Sequence, residues 1–470
     1  MAVIGGGIAG LAAAFRLREL AATREFPLEV TVLERGARVG GPLRTVRRDG
    51  LVIETGADSF LSDKPWAAEL ARRVGLGNDL IPTREEFRRT LVVRAGRLVE
   101  IPDGFSLLAP ARIGPVLRSP LFSRVAKLRI AIEPFIPRRV DGADESLASF
   151  VTRRLGREVL ERVAQPLAGG IYTADPEELS IAATTPRFVE MERSYGSVIR
   201  GLRAAEDARA MRGTSGARWS LFLSLRGGME TLVEALATRL SGSIRGGAEV
   251  ANLARADSQW RVGLADGTAL DADAVVCAAP ASAAARMLAT VEPSLAARLA
   301  EIKYASAAIV NLTFNECDFP AAPHSFGFVV PIVERRKIIA GSFSSLKFEG
   351  RAPAGTILAR AFLGGVLQSQ MMRLGDDELV AAVREEFAAL LGVRAAPGIV
   401  EVQRWPDSMP QYSVGHLARV ADIERATDSI ANFKLAGAAY RGVGVPDCVL
   451  SGERAAEEVF TALTATAAGA

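Results

Sequence analysis

At 470 residues the chain exceeds the roughly 250–300 residues at which one hydrophobic core stops growing, so two or more domains are expected. Hydrophobic residues make up 49% and charged residues 24%, the balance of a folded globular protein and not of a disordered one. The 57 basic and 54 acidic residues nearly cancel to +3, which excludes a general affinity for nucleic acid.

The chain opens MAVIGGGIAG. Ala2–Ile4 reads as a short apolar strand, Gly5–Gly10 as a turn, and Leu11–Leu20 as a helix with apolar residues at helical spacing. This leaves no room for a secretory leader, and no stretch nears the ~18 apolar residues of a membrane span, so the expected address is the cytoplasm. Leu28–Leu33 is a second strand ending in Glu34, and 91–101 (LVVRAGRLVEI) is a hairpin turning at Ala95-Gly96. Between 103 and about 210, prolines such as Pro110, Pro115, Pro120, Pro134 and Pro137, with Pro102 at the edge, interrupt helical patterns, which predicts a helical insertion. From Trp219 to Leu240 a strand, Gly227-Gly228 and a helix follow. Strands then alternate around Asp266-Gly267 and end in the apolar run Ala274–Ala279. Residues 301–375 are strand-rich (Ala307–Phe314, Phe326–Pro331, Lys337–Phe343, Thr356–Leu363), and Phe433–Gly437 is a last strand before a Gly-rich turn and a helix from about Cys448. The cofactor domain is therefore split: 1–60 with 220–300 and 400–470, around an α+β segment pair (80–102 with 301–400) and the helical insertion 103–215.

The chemistry begins in the first turn. Gly5, Gly7 and Gly10 form G-x-G-x-x-G between a strand and a helix, where glycines allow the tight turn, the approach of a phosphate and close helix packing. A pyrophosphate would sit on unpaired amides at the positive helix end, along the run Gly5, Gly6, Gly7, Ile8, Ala9 and Gly10, and Glu34 is placed to take ribose hydroxyls. Just beyond it, Arg38, Gly40 and Gly41 lie where an extended FAD pyrophosphate would pass. Far away, 435–448 (LAGAAYRGVGVPDC) supplies a second ligand-facing element: Gly437 ends a strand, Gly442 and Gly444 permit backbone approach, and Pro446-Asp447 opens a helix. A helix starting beside a flavin ring stabilises the charge that reduction leaves there. A nicotinamide enzyme needs no such second element, so FAD is the expected cofactor. Three separated cysteines (Cys277, Cys317, Cys448) and two histidines (His324, His416) offer no metal-site spacing.

These residues resemble the protoporphyrinogen oxidase branch of the flavin amine oxidase superfamily, and the likeness spans nearly the whole chain. It is carried by GGGIAGLAAAFRL, LERGARVGGPLRT (33–45), ETGADSFL (54–61), GGIYTADPEELSIAATTP (169–186), SLRGGMETLVEAL (224–236), RWPDSMPQYSVGH (404–416) and GAAYRGVGVPDC (437–448). The resemblance implies an α/β fold: an FAD-binding Rossmann-like domain of the amine-oxidase type, an α+β substrate domain and a helical, membrane-facing insertion. It implies a six-electron oxidation of a porphyrinogen in haem synthesis, FAD taking hydride three times and oxygen leaving as hydrogen peroxide. Partners would be the porphyrinogen, oxygen and other enzymes of the haem pathway.

Carried over position by position, the resemblance assigns the adenosine and pyrophosphate to Gly5–Gly10, Glu34, Arg35 and Arg38, with Val250 against adenine. It assigns the flavin ring to Gly56, Ala57, Asp58, Ser59, Trp405, Val443, Gly444 and Val445. Phe362 would face a pyrrole, Gly170 would touch the macrocycle, and Val329 and Ser342 would fall at wall positions. Thr90 stands where some members carry a basic residue that pairs with a substrate carboxylate, beside Arg88 and Arg89. GADSF, SMPQY, GVPDC and Thr90 favour coproporphyrinogen III over protoporphyrinogen IX. No catalytic residue is assigned, because the flavin carries the redox chemistry and pyrrole nitrogens can release the proton; His416 reads as a structural hydrogen-bonder. Arg112, Arg118, Arg124, Lys127, Arg129, Arg138 and Arg139 among Leu, Ile and Phe suggest either a solvated face or a basic, apolar surface on anionic lipid. Two rivals stand beside this reading: an amine or amino-acid oxidase, and a non-catalytic binding protein of the same fold like the GDP-dissociation inhibitors.

Overall fold

The computed structural model describes residues 1–211, 222–257, 259–321 and 323–468; the predicted strand starting at Trp219 begins outside them. The first strand, Ala2–Ile4, is the centre of a five-stranded parallel sheet. Thr31–Glu34 and Ile244–Gly246 lie on one side of it, Val275–Cys277 and Phe433–Leu435 on the other. Each strand is three or four residues long, and the central pair, Ala2–Ile4 and Val275–Cys277, is apolar and buried on both faces, as parallel strands covered by helices must be. The helix Ile8–Thr23 crosses back over this sheet, rich in alanine because the C-terminal helix Val445–Ala468 presses against it. A Cβ at Gly452 of that second helix would lie 2.0 Å from the Ala9 carbonyl oxygen, so the two backbones nearly touch.

A larger, mostly antiparallel sheet of seven strands runs in the order Val400–Pro410, Tyr304–Asn315, Thr356–Gly364, Ala340–Phe343, Gly327–Val329, Thr90–Arg94, Arg97–Glu100. Strand periodicity gives it two faces. One carries Val310, Leu312, Phe314, Phe328, Phe343 and Leu363 into a core closed by the helix Asp376–Leu391 through Phe387. The other carries Trp405, Asn311, Arg360, Phe362, Ser342, Val329 and Thr90, which share rows of the register. The hairpin at 91–101 turns at Ala95 and Gly96, both with positive φ (48° and 74°), as the two-residue turn predicts.

Residues 113–211 form helices packed around Ile130, Phe150, Phe188 and Ile199. Among the described residues no helix is long and apolar enough to cross a membrane. Three elements differ from the sequence expectation. Residues 400–410, grouped above with the cofactor segments, form an edge strand of the larger sheet; Pro406 is tolerated because that strand is paired on one side only. The last helix begins at Val445 and not near Cys448, with Pro446 in its first turn. A hairpin of Thr45–Arg48 and Leu51–Glu54 bridges the two sheets, packing Leu51 and Ile53 on Leu358.

Candidate functional site

Gly5 (φ +98°) turns the chain off the first strand, and Gly10 has no room for a side chain, since a Cβ there would sit 1.9 Å from the Gly5 oxygen. Gly7 is different. It caps the Ile8–Thr23 helix with ordinary angles (φ −68°, ψ 175°), no side chain bonds to the cap, and the first turn holds no acid. A Cβ at Gly7 would meet nothing within 4 Å. Open space over a bare, positive helix end fits a pyrophosphate. At the end of the second strand the Glu34 carboxylate accepts from the amides of Gly6 (2.7 Å) and Gly36 (2.8 Å), which fixes it beside the turn. Val250 follows Ala248, whose amide donates to the Glu34 carbonyl at 2.9 Å, so it lies at the same end of the cradle. The Gly40 amide donates to the Gly6 oxygen at 2.7 Å, and a Cβ at Gly41 would lie 3.7 Å from the Gly7 Cα. Arg35 is exposed. Arg38 folds back onto the carbonyls of Val39, Gly41 and Leu43 and pairs with Glu230 at 3.2 Å, so these bonds hold the loop where a pyrophosphate contact was expected.

The distant fingerprint closes on the same place. Gly437 (φ +113°) brings its Cβ position within 4.0 Å of the Ala9 side chain, and its amide donates to Ser451 Oγ at 2.9 Å. The turn that follows is held by the MPQYxxGH segment: the Tyr412 hydroxyl donates to the Ala438 oxygen (2.6 Å) and accepts from the Gly442 amide (2.8 Å). His416 stacks on Tyr412 with ring centroids 3.9 Å apart and places Nε2 2.8 Å from the Tyr440 oxygen, the structural role expected of it. Bonding to a carbonyl makes Nε2 the protonated nitrogen of a neutral ring. Burial holds the His416 pKa down at about 4 from its ordinary 6.5. The unfolded chain therefore takes up a proton that the folded chain refuses, and stability falls as pH drops from 6.5 towards 4. At 1.36 kcal/mol per unit this one group costs about 3 kcal/mol by pH 4. Melting curves from pH 7 to 4.5 are expected to show that slope, reduced in His416→Gln. At the start of the last helix Asp447 is clamped by Lys64, 2.8 Å from each carboxylate oxygen. Burial pushes the neighbouring Cys448 thiol up to about 12, so it is no thiolate nucleophile at neutral pH.

Between these elements run residues 54–59. A Cβ at Gly56 would fall 1.7 Å from the Pro42 oxygen, so this segment lies hard against the RVGGP loop. Trp405 Nε1 donates to the Thr55 oxygen at 2.7 Å. Ala57 packs on the core beneath the parallel sheet. Asp58 accepts from Ser59 Oγ (2.7 Å) and pairs with Lys347 (3.0 Å) and Arg360 (3.1 Å). Burial pushes the Asp58 carboxyl up, but Lys347 and Arg360 outweigh it and hold it well below the usual carboxylate range. Glu54, fully buried, accepts from Thr45 Oγ1 (2.9 Å) and the Met229 amide (2.7 Å); burial pushes its carboxyl up against the pull of Arg351. Nothing in the sequence pattern announced Arg351, which follows the turn residues Glu349-Gly350, or Arg360, which sits within an apolar run.

On the substrate side, four of the five expected residues share one sheet face. Ser342 lies opposite Arg360 and Gly327, Gly327 opposite Thr90, Phe362 opposite Ala340, and Ala340 opposite Val329. Phe362 and Val443 pack with Val329, Ala340, Ala168 and Tyr172, which joins the sheet, the flavin-side turn and the insertion in one apolar wall. Gly170, the fifth, is on the helix Gln165–Tyr172 of the insertion, exposed, with open space where a Cβ would stand. Among the described residues no three His, Cys, Asp or Glu side chains gather into a metal site. The site is a bare helix end, a carboxylate, a second helix start and an apolar wall.

That combination defines an FAD-dependent oxidoreductase. The chain belongs to the flavin containing amine oxidoreductase family, whose model it matches over residues 8–460, and within it to the porphyrinogen oxidases. It is 34% identical to a coproporphyrinogen III oxidase of Bacillus subtilis, covering 98% of both chains. It is 32% identical to a protoporphyrinogen oxidase of Bos taurus, covering 97% of this chain and 98% of that one. A solved structure of a candidate protoporphyrinogen oxidase from Exiguobacterium sp. 255-15 superimposes with a TM-score of 0.84 at 30% identity over 98% of both chains.

Proposed function

We propose that this chain oxidises coproporphyrinogen III to coproporphyrin III with bound FAD, using three molecules of oxygen and releasing three of hydrogen peroxide. The observation that carries the reading is the apolar wall of Val329, Phe362, Val443 and Tyr172 beside the 54–59 segment and the start of the last helix. The puckered ring of a porphyrinogen, four pyrroles joined by methylenes, is apolar apart from its nitrogens and needs such a wall, whereas a small charged amine does not.

FAD would be held by Gly5–Gly10, Glu34 and Val250 at its adenosine end and by Gly56–Ser59, Trp405 and Val443–Val445 at its ring. When bound, it supplies a two-electron acceptor. The protein's own part is to orient and to exclude water. Phe362 and Val329 would pack against the macrocycle's pyrrole rings, Gly170 would admit its edge without a clash, and Val443 would seal the flavin side. No side chain is required to take the proton, and the neutral, carbonyl-bound His416 is not available to do so. Thr90 in place of a basic residue and the 34% identity to a coproporphyrinogen III oxidase support the four-carboxylate substrate. Equal amounts of coproporphyrinogen III and protoporphyrinogen IX, followed by porphyrin fluorescence, test this: the first is expected to be turned over faster, and a clear preference for the second would reverse the substrate assignment.

The insertion would rest on the cytoplasmic face of a membrane. Val125, Leu128, Ile132 and Phe135 are exposed along one side of the helix Arg124–Ala131 and the turn after it, with Arg118 and Arg124 exposed beside them. Arg112, Arg138 and Arg139 are instead tied to Glu206, the Arg193 carbonyl and Asp141. An apolar stripe flanked by a few cations suits anionic lipid, at about 1 kcal/mol per basic residue near the surface. The purified protein is expected to sediment with phosphatidylserine-containing vesicles, and Val125→Asp with Leu128→Asp to remain in the supernatant. Equal sedimentation of both proteins would remove the membrane role.

A further inference from the structure

On the face of the large sheet that meets residues 54–59, three polar side chains stand in one row of the register: Asn311, Arg360 and Ser342. Asn311 and Arg360 are each 1% exposed. Yet both amide atoms of Asn311, the Nε of Arg360 and the Oγ of Ser342 are buried without a hydrogen-bond partner. Each such atom costs about 1–3 kcal/mol if it stays unpaired, too much for four neighbours to carry by accident. The row offers donors at Arg360 Nε, Asn311 Nδ2 and Ser342 Oγ, and an acceptor at Asn311 Oδ1. This mixed set matches water and matches neither an apolar group nor a pure anion.

Arg360 connects the row to the site. Its Nη2 donates to the Gly56 oxygen at 2.5 Å, its Nη1 pairs with Asp58 at 3.1 Å, and its guanidinium lies 5.0 Å from the Phe362 ring. One buried side chain thus touches the 54–59 segment and an aromatic of the apolar wall. We propose that Asn311, Arg360 and Ser342 hold one or more buried water molecules that seat residues 56–59 on the sheet, with Arg360 the positioning residue for that segment. The role of the segment as a flavin contact rests on the function proposed above; the water site does not.

The test uses the FAD-loaded protein. Asn311→Leu keeps the side chain's size and removes its polar atoms. If Asn311 binds water, the variant strands the water's other partners and Tm falls by about 2 °C or more. If Asn311 is dry and unpaired, removing it relieves a penalty and Tm rises, which overturns the proposal. Arg360→Met is expected to shift the visible absorption and midpoint potential of the bound flavin, with Arg360→Lys restoring part of the shift. An unmoved spectrum and potential would refute the positioning role. Should Arg360→Met fail to fold, Asn311→Leu still decides the water site, and a crystal structure must show solvent density within hydrogen-bond reach of Asn311 and Arg360 Nε. A wild-type protein with no flavin spectrum at all would instead defeat the function proposed above.

Discussion

Gly7→Ala is expected to weaken FAD binding by about 100-fold, about 2.7 kcal/mol, while leaving the melting temperature of the flavin-free protein unchanged. The reasoning is geometric. Gly7 has angles that any residue adopts, and a methyl group there would meet no protein atom within 4 Å. The only thing it can obstruct is a ligand on the bare amides of the helix end, where a pyrophosphate must come closer than a side chain allows. Gly10→Ala is the opposite case. Its methyl would land 1.9 Å from the Gly5 oxygen, so the turn and the helix cannot both keep their places, and the variant is expected not to accumulate as folded protein. Titrating flavin-free protein with FAD by fluorescence quenching, alongside thermal melts, separates the two. A Gly7→Ala protein that binds FAD normally would remove the helix end as the cofactor's seat.

Arg154→Met is expected to destabilise the insertion by about 3–5 kcal/mol. The guanidinium is fully buried, pairs with Glu133 and Glu192, and also donates to the carbonyls of Ile136 and Gly196. Glu133 in turn accepts from Ser197 Oγ and from the amides of Val198 and Ile199. Removing only the cation leaves the buried Glu133 carboxylate without a counter-charge, while Glu192 keeps Arg153 at 2.6 Å, and the uncompensated Glu133 charge sets the size of the effect. Replacing Arg154 and Glu133 together by Met and Leu should therefore cost less than the single change. Because the insertion supplies Ala168 and Tyr172 to the wall, the single variant should also lose porphyrinogen turnover before it loses FAD. Urea unfolding of both proteins measures the difference; equal losses would mean that packing and not charge is at stake.

Much of the cofactor half was legible in the sequence because its constraints are local. A strand, three spaced glycines and a helix within the first twenty residues dictate one turn, and Glu34 follows from the strand that must pair beside it. The same is true of the hairpin at Ala95-Gly96. The strand Val400–Pro410 was not legible: Arg404, Pro406, Asp407 and Ser408 spoil any alternating pattern, and pairing with Tyr304–Asn315 alone keeps it extended. The last helix starts at Val445, three residues before Cys448, so Pro446-Asp447, read as a helix opening, lies in its first turn. Buried charge was the hardest to see. Arg154, Arg351 and Arg360 occur in ordinary amphipathic or apolar surroundings, and only the folded chain shows that each is enclosed among acceptors from distant segments. Arg38 shows the reverse, a well-placed cation occupied by its own loop.

The function proposed above requires two glycine turns more than four hundred residues apart, Gly5–Gly10 and Gly442–Gly444, to hold one flavin beside the apolar wall of Val329, Phe362, Val443 and Tyr172. Mixing the FAD-loaded protein anaerobically with coproporphyrinogen III, and separately with simple amines, tests it in one absorbance trace. The porphyrinogen is predicted to bleach the flavin within the enzyme's turnover time, and admitted oxygen to restore its colour with three peroxides formed per porphyrin. Bleaching by an amine and not by the porphyrinogen would contradict it.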